Sequence, residues 1–223
     1  MTTPAQRHFQ KVMAEKESAK AADSNIRPDA NQYELMMAQL YEHTRQLKAI
    51  ESIKAKGELK ATLLPVYGPY IDGVLASDAG IQDDVVMTVL VWSIDAQDWD
   101  GALEIAEYAL KHNMELPDKY QRSTVCVITE QIAEAAKVAD TVPLAILQRT
   151  GQLIDGQDMP DQVRAKFHKA LGLTLEASEP QASLNNLRLA LSFDEKAGVK
   201  KDIDRLERAV KKQAPVPDNG AEA

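Results

Sequence analysis

The chain has 223 residues, 44% of them hydrophobic and 27% charged, and a formal net charge of −8. That balance describes an ordinary soluble globular protein of one large or two small domains. No apolar run approaches the roughly 18–20 residues that span a bilayer, the first twenty residues lack the apolar core of a secretory signal, and the lone Cys126 excludes an intramolecular disulfide.

Aromatics are only 5% of the chain, and Ala, Leu, Glu and Lys are abundant, which favours helix over strand. The charge is unevenly spread. Residues 1–60 carry ten Lys/Arg against eight Asp/Glu, residues 61–120 two against eleven, and residues 161–213 eleven against eight. A basic front and back flank an acidic middle, so contacts to phosphate belong at the ends of the chain.

Thr2 or Thr3 before Pro4 starts a helix, because proline tolerates the first helical position. This helix runs to about Ala22, with Phe9, Val12 and Met13 on one side and Arg7, Lys11, Lys16 and Lys20 around the rest. Two readings stand: a solvated amphipathic helix, or an arm that contacts nucleic acid. Asp23 to Asn31 is a breaker segment that includes Arg27 and Pro28. Next, Tyr33, Met36, Leu40, His43, Leu47, Ile50 and Lys54 step by heptad spacing, which predicts a long helix. Its seam suits an intramolecular core or self-association. Arg45, Lys48, Lys54, Lys56 and Lys60 make the end of this segment basic.

Pro65 and the Gly68-Pro69 pair punctuate the chain before a short apolar helix. Gly80 to Pro117 then predicts a helical hairpin. Asp83 and Asp84 sit where an N-cap and a first-turn acid belong, Val85, Val86, Val89, Leu90 and Ile94 form an apolar face, and Gly101 loosens the turn. Ala102, Ile105, Ala106, Ala109 and Leu110 form the second face, with small residues that permit close packing. A helix follows Ser123-Thr124, another follows Pro143 and stops at Gly156, and a third starts at Asp158 to Asp161. Residues 167–199 echo the first hairpin, and a final helix carries Val199, Ile203, Leu206 and Val210. The expected fold is all-α: hairpins with tetratricopeptide-like packing, plus the long heptad-like N-terminal helix. The expected divisions are a basic helical region over 1–60, an acidic hairpin core over 61–118, a C-terminal helical region over 119–213, and a tail over 214–223.

No sequence signature of catalysis emerges. There is neither a phosphate-cradling glycine loop nor a nucleophile elbow, and the four histidines lie far apart. No catalytic residue, metal or cofactor is therefore expected. The acids Asp95, Asp98 and Asp100 could suggest a metal nuclease, but aspartate is also a favoured turn residue. Trp92 and Trp99 flank that turn and suit packing, as Cys126 suits a small buried hydrophobe.

Five stretches resemble one family: TPAQRHFQKV at the N-terminus, LKAI at Leu47–Ile50, the run from Gln82 to Pro117, DMPDQVRAKFHKALGL, and AGVKKDIDRLER. In order and across residues 3–210, they resemble the small terminase subunits of temperate contractile-tailed bacteriophages. The resemblance implies DNA packaging in the host cytoplasm. A homo-oligomer, typically a ring, would recognise the cohesive-end site on concatemeric double-stranded phage DNA and load a large subunit that holds the ATPase and cutting sites. No membrane partner is implied. Candidate DNA-binding residues are Arg7, Lys11, Lys16, Lys20, Arg27, Arg45, Lys48, Lys54, Lys56 and Lys60, with the last helix as another possible surface. Candidate oligomerisation residues are Tyr33, Met36, Leu40, Leu47 and Ile50. Competing readings are a helical adaptor that binds protein only and a metal-dependent endonuclease.

Overall fold

The computed structural model describes residues 3–24, 31–117, 122–138 and 141–213. These residues form ten helices and no strand: α1 (Pro4–Ser24), α2 (Asn31–Lys48), α3 (Ile53–Ser77), α4 (Asp84–Asp95), α5 (Trp99–Lys111), α6 (Thr124–Ala135), α7 (Leu144–Leu153), α8 (Asp161–Leu175), α9 (Pro180–Phe193) and α10 (Lys200–Gln213). The fold is all-α, as the composition predicts. Two compact units divide the chain: residues 1–128 with 149–157, and residues 129–148 with 158–223. The boundary expected at residue 60 falls inside α3, so the basic N-terminal helices and the acidic hairpin belong to one unit.

In the first unit, α1 opens with a reciprocal cap. The Thr3 amide donates to Gln6 Oε1 (2.8 Å), and the Gln6 amide donates to Thr3 Oγ1 (3.3 Å). The buried face of α1 differs from the expected one. Ala14, Ser18 and Ala21 are buried, whereas Phe9 is 59% exposed. Small side chains at i, i+4 and i+7 let α1 press against α3, where Gly73 lies under the Lys11 carbonyl.

The long heptad helix is not continuous. Residues 49–52 separate α2 from α3, and Ser52 caps α3 by accepting from the Ala55 amide at 3.2 Å. Ile50 therefore lies between helices and Lys54 belongs to α3. The local cap overrides a periodic pattern that three heptads could not enforce. Conversely, Pro65 and Pro69 do not break α3, which runs through both. Pro69, Tyr67, Tyr70 and Ile71 are buried, and that packing holds the helix despite two missing amide donors. The Pro65–Gly68 side borders a cleft of about 350 Å³.

The hairpin α4–α5 forms where the sequence predicts it. Asp83 caps α4 by accepting from the Val85 amide (2.9 Å) and the Val86 amide (3.1 Å). Every residue from Val85 to Ile94 is buried, so α4 is the central helix of the unit and not a one-faced one. The turn itself spans Ala96 to Asp98, with Gln97 at φ +62°, and Gly101 already lies within α5. A side chain at Gly101 would meet the Asp98 carboxylate 2.5 Å away, so the glycine admits the capping acid. His43 on α2, Tyr67 on α3 and Trp92 on α4 stack edge-on in series, at 5.7 and 6.0 Å between ring centroids.

In the second unit, α8 and α9 form the other hairpin. Gly172 on α8 admits Leu187 of α9, and Ser183 Oγ donates to the Gly172 carbonyl at 2.7 Å. The chain then turns at Gly198, φ +74°, and α10 closes a small core of Leu184, Leu187, Val199, Ile203 and Leu206. The two hairpins lie in different units, and the tetratricopeptide-like packing expected of them is not established by this arrangement.

His168 gives this unit an expected pH response. Burial holds its imidazole below the usual value; the hydrogen bond with Asn186 Oδ1 (3.0 Å) works the other way, and Arg164 adds to the depression. The unfolded chain takes up a proton near pH 6.5 while the folded one does not, so stability falls as pH drops below about 6.5. His43 is depressed in the same sense by burial. Urea denaturation midpoints are expected to fall between pH 7 and 5, and by less in His168→Gln. Equal slopes in variant and parent would contradict the assignment.

Candidate nucleic-acid interface

The basic residues named from the sequence divide into paired and unpaired groups. Arg45 forms a two-pronged bond with Glu42, at 3.1 and 2.8 Å, one turn back on α2, which holds the glutamate below its usual value. Lys54 and Glu58 stand 3.9 Å apart on the exposed start of α3. Lys60 is largely buried and pairs with Asp95 at the end of α4, which makes it a strut within the first unit. Arg27 lies outside the described residues. Arg7, Lys11, Lys16, Lys48 and Lys56 make no ion pair among the described residues, whereas Lys20 is engaged.

Helix periodicity decides which of these can act together. At about 100° per residue, Arg7 and Lys11 share one side of α1, and Lys16 and Lys20 point about half a turn away. The first pair borders the face packed on α3; the second pair is exposed. The fold therefore does not gather all four on one surface. Lys48 is exposed in the last turn of α2, where the helix dipole favours a cation, and Lys56 is half-buried.

The candidate oligomerisation stripe is placed differently from a free seam. Met36, Leu40 and Leu47 are buried within the first unit, and Tyr33 and Ile50 are half-buried. His43 completes the stripe, with Nδ1 2.7 Å from the Tyr67 hydroxyl. Burial raises the Tyr67 hydroxyl well above its usual value and lowers the His43 imidazole, so both neutral forms are favoured across this bond. The opposite side of α2 leaves Leu35 59% and Tyr41 75% exposed.

Each acid of the hairpin turn has its own structural partner. Asp95 holds Lys60, Asp98 caps α5, and Asp100 is exposed 3.9 Å from Arg149. Among the described residues, no three His, Cys, Asp or Glu side chains stand together to hold a metal. Trp92, Trp99 and Cys126 are buried. No described helix is long and apolar enough to cross a membrane.

Cations outside the N-terminal helices were not singled out by residue in the sequence. Lys200, Lys201, Arg208 and Lys211 are exposed on the outer face of α10, opposite Val199, Ile203 and Leu206. Lys137, Lys166, Lys169 and Lys196 line a cleft in the second unit. The net positive charge of residues 161–213 was the available signal, but periodicity alone does not join α6, α8 and the turn before α10.

Among the described residues these features define an all-helical protein of two compact units, with an acidic hairpin in the first and exposed cations on α1, α2 and α10. The profile of the phage small terminase subunit family matches residues 37–162. The "Terminase, endonuclease subunit" of Escherichia phage P2 is 43% identical over 225 residues, covering 97% of this chain and 90% of that protein. The "Probable terminase, endonuclease subunit" of Haemophilus phage HP1 (strain HP1c1) is 23% identical over 201 residues, covering 82% and 72%. No solved structure matches. The chain belongs to the phage small terminase subunit family, which places it in viral DNA packaging.

Proposed function

We propose that this chain recognises the cohesive-end packaging site on concatemeric phage DNA and, as an oligomer, loads and regulates the large terminase subunit. Family membership across nearly the whole chain carries the reading. The unpaired cations Lys16 and Lys48, with Arg7, Lys11 and Lys56, supply phosphate contacts, and base contacts add selectivity. The acidic hairpin repels phosphate and leaves DNA to the other faces. Self-association through α2 uses its exposed side, Leu35 and Tyr41, because Met36, Leu40 and Leu47 are already buried. Assembly multiplies a weak contact per subunit and offsets the net charge of −8.

The word endonuclease in both relatives' names is taken to describe the terminase holoenzyme. In this chain Asp95 serves an ion pair, Asp98 caps α5, and Asp100 is the exposed acid of the first turn of α5. Incubation of the purified protein with plasmid and Mg²⁺ tests this; robust cutting abolished in Asp98→Ala would reverse it.

A mobility-shift titration tests recognition. Packaging-site duplex is expected to shift at lower protein concentration than a scrambled duplex. Lys16→Ala with Lys48→Ala should weaken both and lower the salt slope by roughly 0.9 for each phosphate no longer neutralised. Equal, negligible binding to both duplexes at low salt would overturn the reading. Light scattering that returns a monomer at working concentration would remove the oligomer.

A further inference from the structure

A cleft of about 250 Å³ in the second unit is lined by Lys137 in the turn after α6, Lys166 and Lys169 on α8, and Lys196 before α10. Its floor is short and apolar: Ala133, Ala136, Ala165 and Ala170 leave the space open to a bulky anion. The lysines are not equally neutralised. Lys166 reaches Glu130 at 2.6 Å and Glu134 at 3.3 Å, and Lys137 also pairs with Glu134. Those two cations hold the Glu134 carboxyl below its usual value, Lys137 foremost, and are held in return. Lys169 differs. Its half-buried ammonium donates to the Ala197 carbonyl at 2.7 Å, a neutral acceptor. An ammonium has three N–H donors, so a carbonyl partner leaves its charge uncompensated and donors to spare. Lys196 is exposed and makes no ion pair among the described residues.

Beside Glu130 and Glu134, which pair with Lys166 and Lys137, a third carboxylate stands in the cleft lining itself. Asp194 lines the cleft, and its Oδ1 accepts from the Lys196 amide at 2.8 Å, which fixes the turn that presents Lys196 and Ala197. Lys200 and Lys201 follow the turn, both exposed, and extend the cationic surface along α10. The local excess of positive charge stands in a chain whose net charge is −8.

We propose that this cleft binds phosphate groups, with Lys169 and Lys196 as the donors that contact the anion and Lys137 and Lys166 as the wall that positions it. The phosphates are those of the DNA backbone or of a nucleotide polyphosphate. The DNA alternative rests on the proposed recognition of packaging-site DNA and adds to it a contact blind to base sequence, remote in the chain from α1 and α2.

The test uses the full chain, fluorescence anisotropy with a random-sequence and a packaging-site duplex, and a separate titration with pyrophosphate. Lys169→Gln with Lys196→Gln is expected to weaken both duplexes by about tenfold alike and to lower the salt slope by about 2, near 0.9 for each phosphate released. Asp194→Asn keeps an oxygen for the Lys196 amide, removes the opposing charge, and should tighten binding by about threefold. Unchanged thermal melts guard against misfolding. If pyrophosphate binds and responds to these variants while duplex affinity does not, the phosphate belongs to a nucleotide. If the duplexes bind as before and pyrophosphate does not bind, the cleft assignment falls and recognition stands. If the parent protein binds no duplex, recognition falls, and the pyrophosphate titration alone decides the cleft: saturable binding abolished in the double variant supports it, and no binding overturns it.

Discussion

Asp83→Ala is expected to cost about 3 kcal/mol, a large part of the roughly 5–15 kcal/mol that holds a domain together. The residue is fully buried and serves two ends at once. Its Oδ1 accepts the first free amides of α4, at Val85 and Val86, and its Oδ2 accepts the Tyr70 hydroxyl of α3 at 2.6 Å. Loss of a helix N-cap alone costs about 0.5–2 kcal/mol. Truncation also removes the acceptor of the buried Tyr70 hydroxyl's bond to Asp83, which adds about 1–3 kcal/mol. Asp83→Asn keeps an acceptor of the same shape and should cost less than half as much. Tyr70→Phe removes the donor and keeps the helix cap, so it too should be milder. Urea denaturation of the three variants and of the Asp83→Ala/Tyr70→Phe double variant measures the coupling. Strictly additive losses would show that cap and cross-link act separately, and a loss below about 1 kcal/mol in Asp83→Ala, no more than a cap alone typically contributes, would contradict the double role assigned to it.

Asp83 was legible in the sequence because a cap is a local feature: an acid followed by an apolar helical run. The same holds for Thr3 and for the glycine stop at 156. Features set by tertiary contact were not legible. The apolar run Val85–Ile94 reads as one face with extras, and only the surrounding helices bury all of it. Pro65 and Pro69 read as breaks because propensity carries no knowledge of the packing around Tyr67 and Ile71. The heptad pattern was correct in one respect, since Met36, Leu40 and Leu47 do share a face, but Ser52 ends the register before Lys54. For the candidate interface, the sequence locates the cations and not their neighbours. Lys60 carries the same charge as Lys16, yet Asp95, 35 residues away, engages one and not the other. The lysine cleft assembles from residues 137, 166, 169 and 196, and no window of sequence brings them together.

Gly73→Ala is expected to destabilise the first unit by about 2–3 kcal/mol, against the trend for its residue type. In a helix interior, alanine is favoured over glycine by about 1 kcal/mol. At Gly73 the added carbon would lie 2.3 Å from the Lys11 carbonyl oxygen and 2.9 Å from Ala14 Cβ. One clash is with backbone and the other with a rigid methyl, so no rotamer change relieves either. The helices must move apart, which uncovers Ala14, Ser18 and Ala21, and overpacking of this kind costs about 1–3 kcal/mol beyond the forfeited propensity gain. Gly68, more than one turn earlier on the same helix, is the control. Nothing lies within 4 Å of the position its side chain would take, so Gly68→Ala should gain about 0.5–1 kcal/mol. The pair separates stability from recognition. α1 carries Arg7, Lys11, Lys16 and Lys20, so freeing it from α3 disperses whatever surface those cations share with Lys48 and Lys56. Gly73→Ala is therefore expected to cleave readily within α1 under limited proteolysis and to bind packaging-site duplex more weakly, with Gly68→Ala matching the parent in both. A Gly73→Ala protein that melts with the parent would remove the close α1–α3 crossing. One that is destabilised yet binds duplex undiminished would move the DNA contacts off α1 and leave α10 and the lysine cleft to carry them.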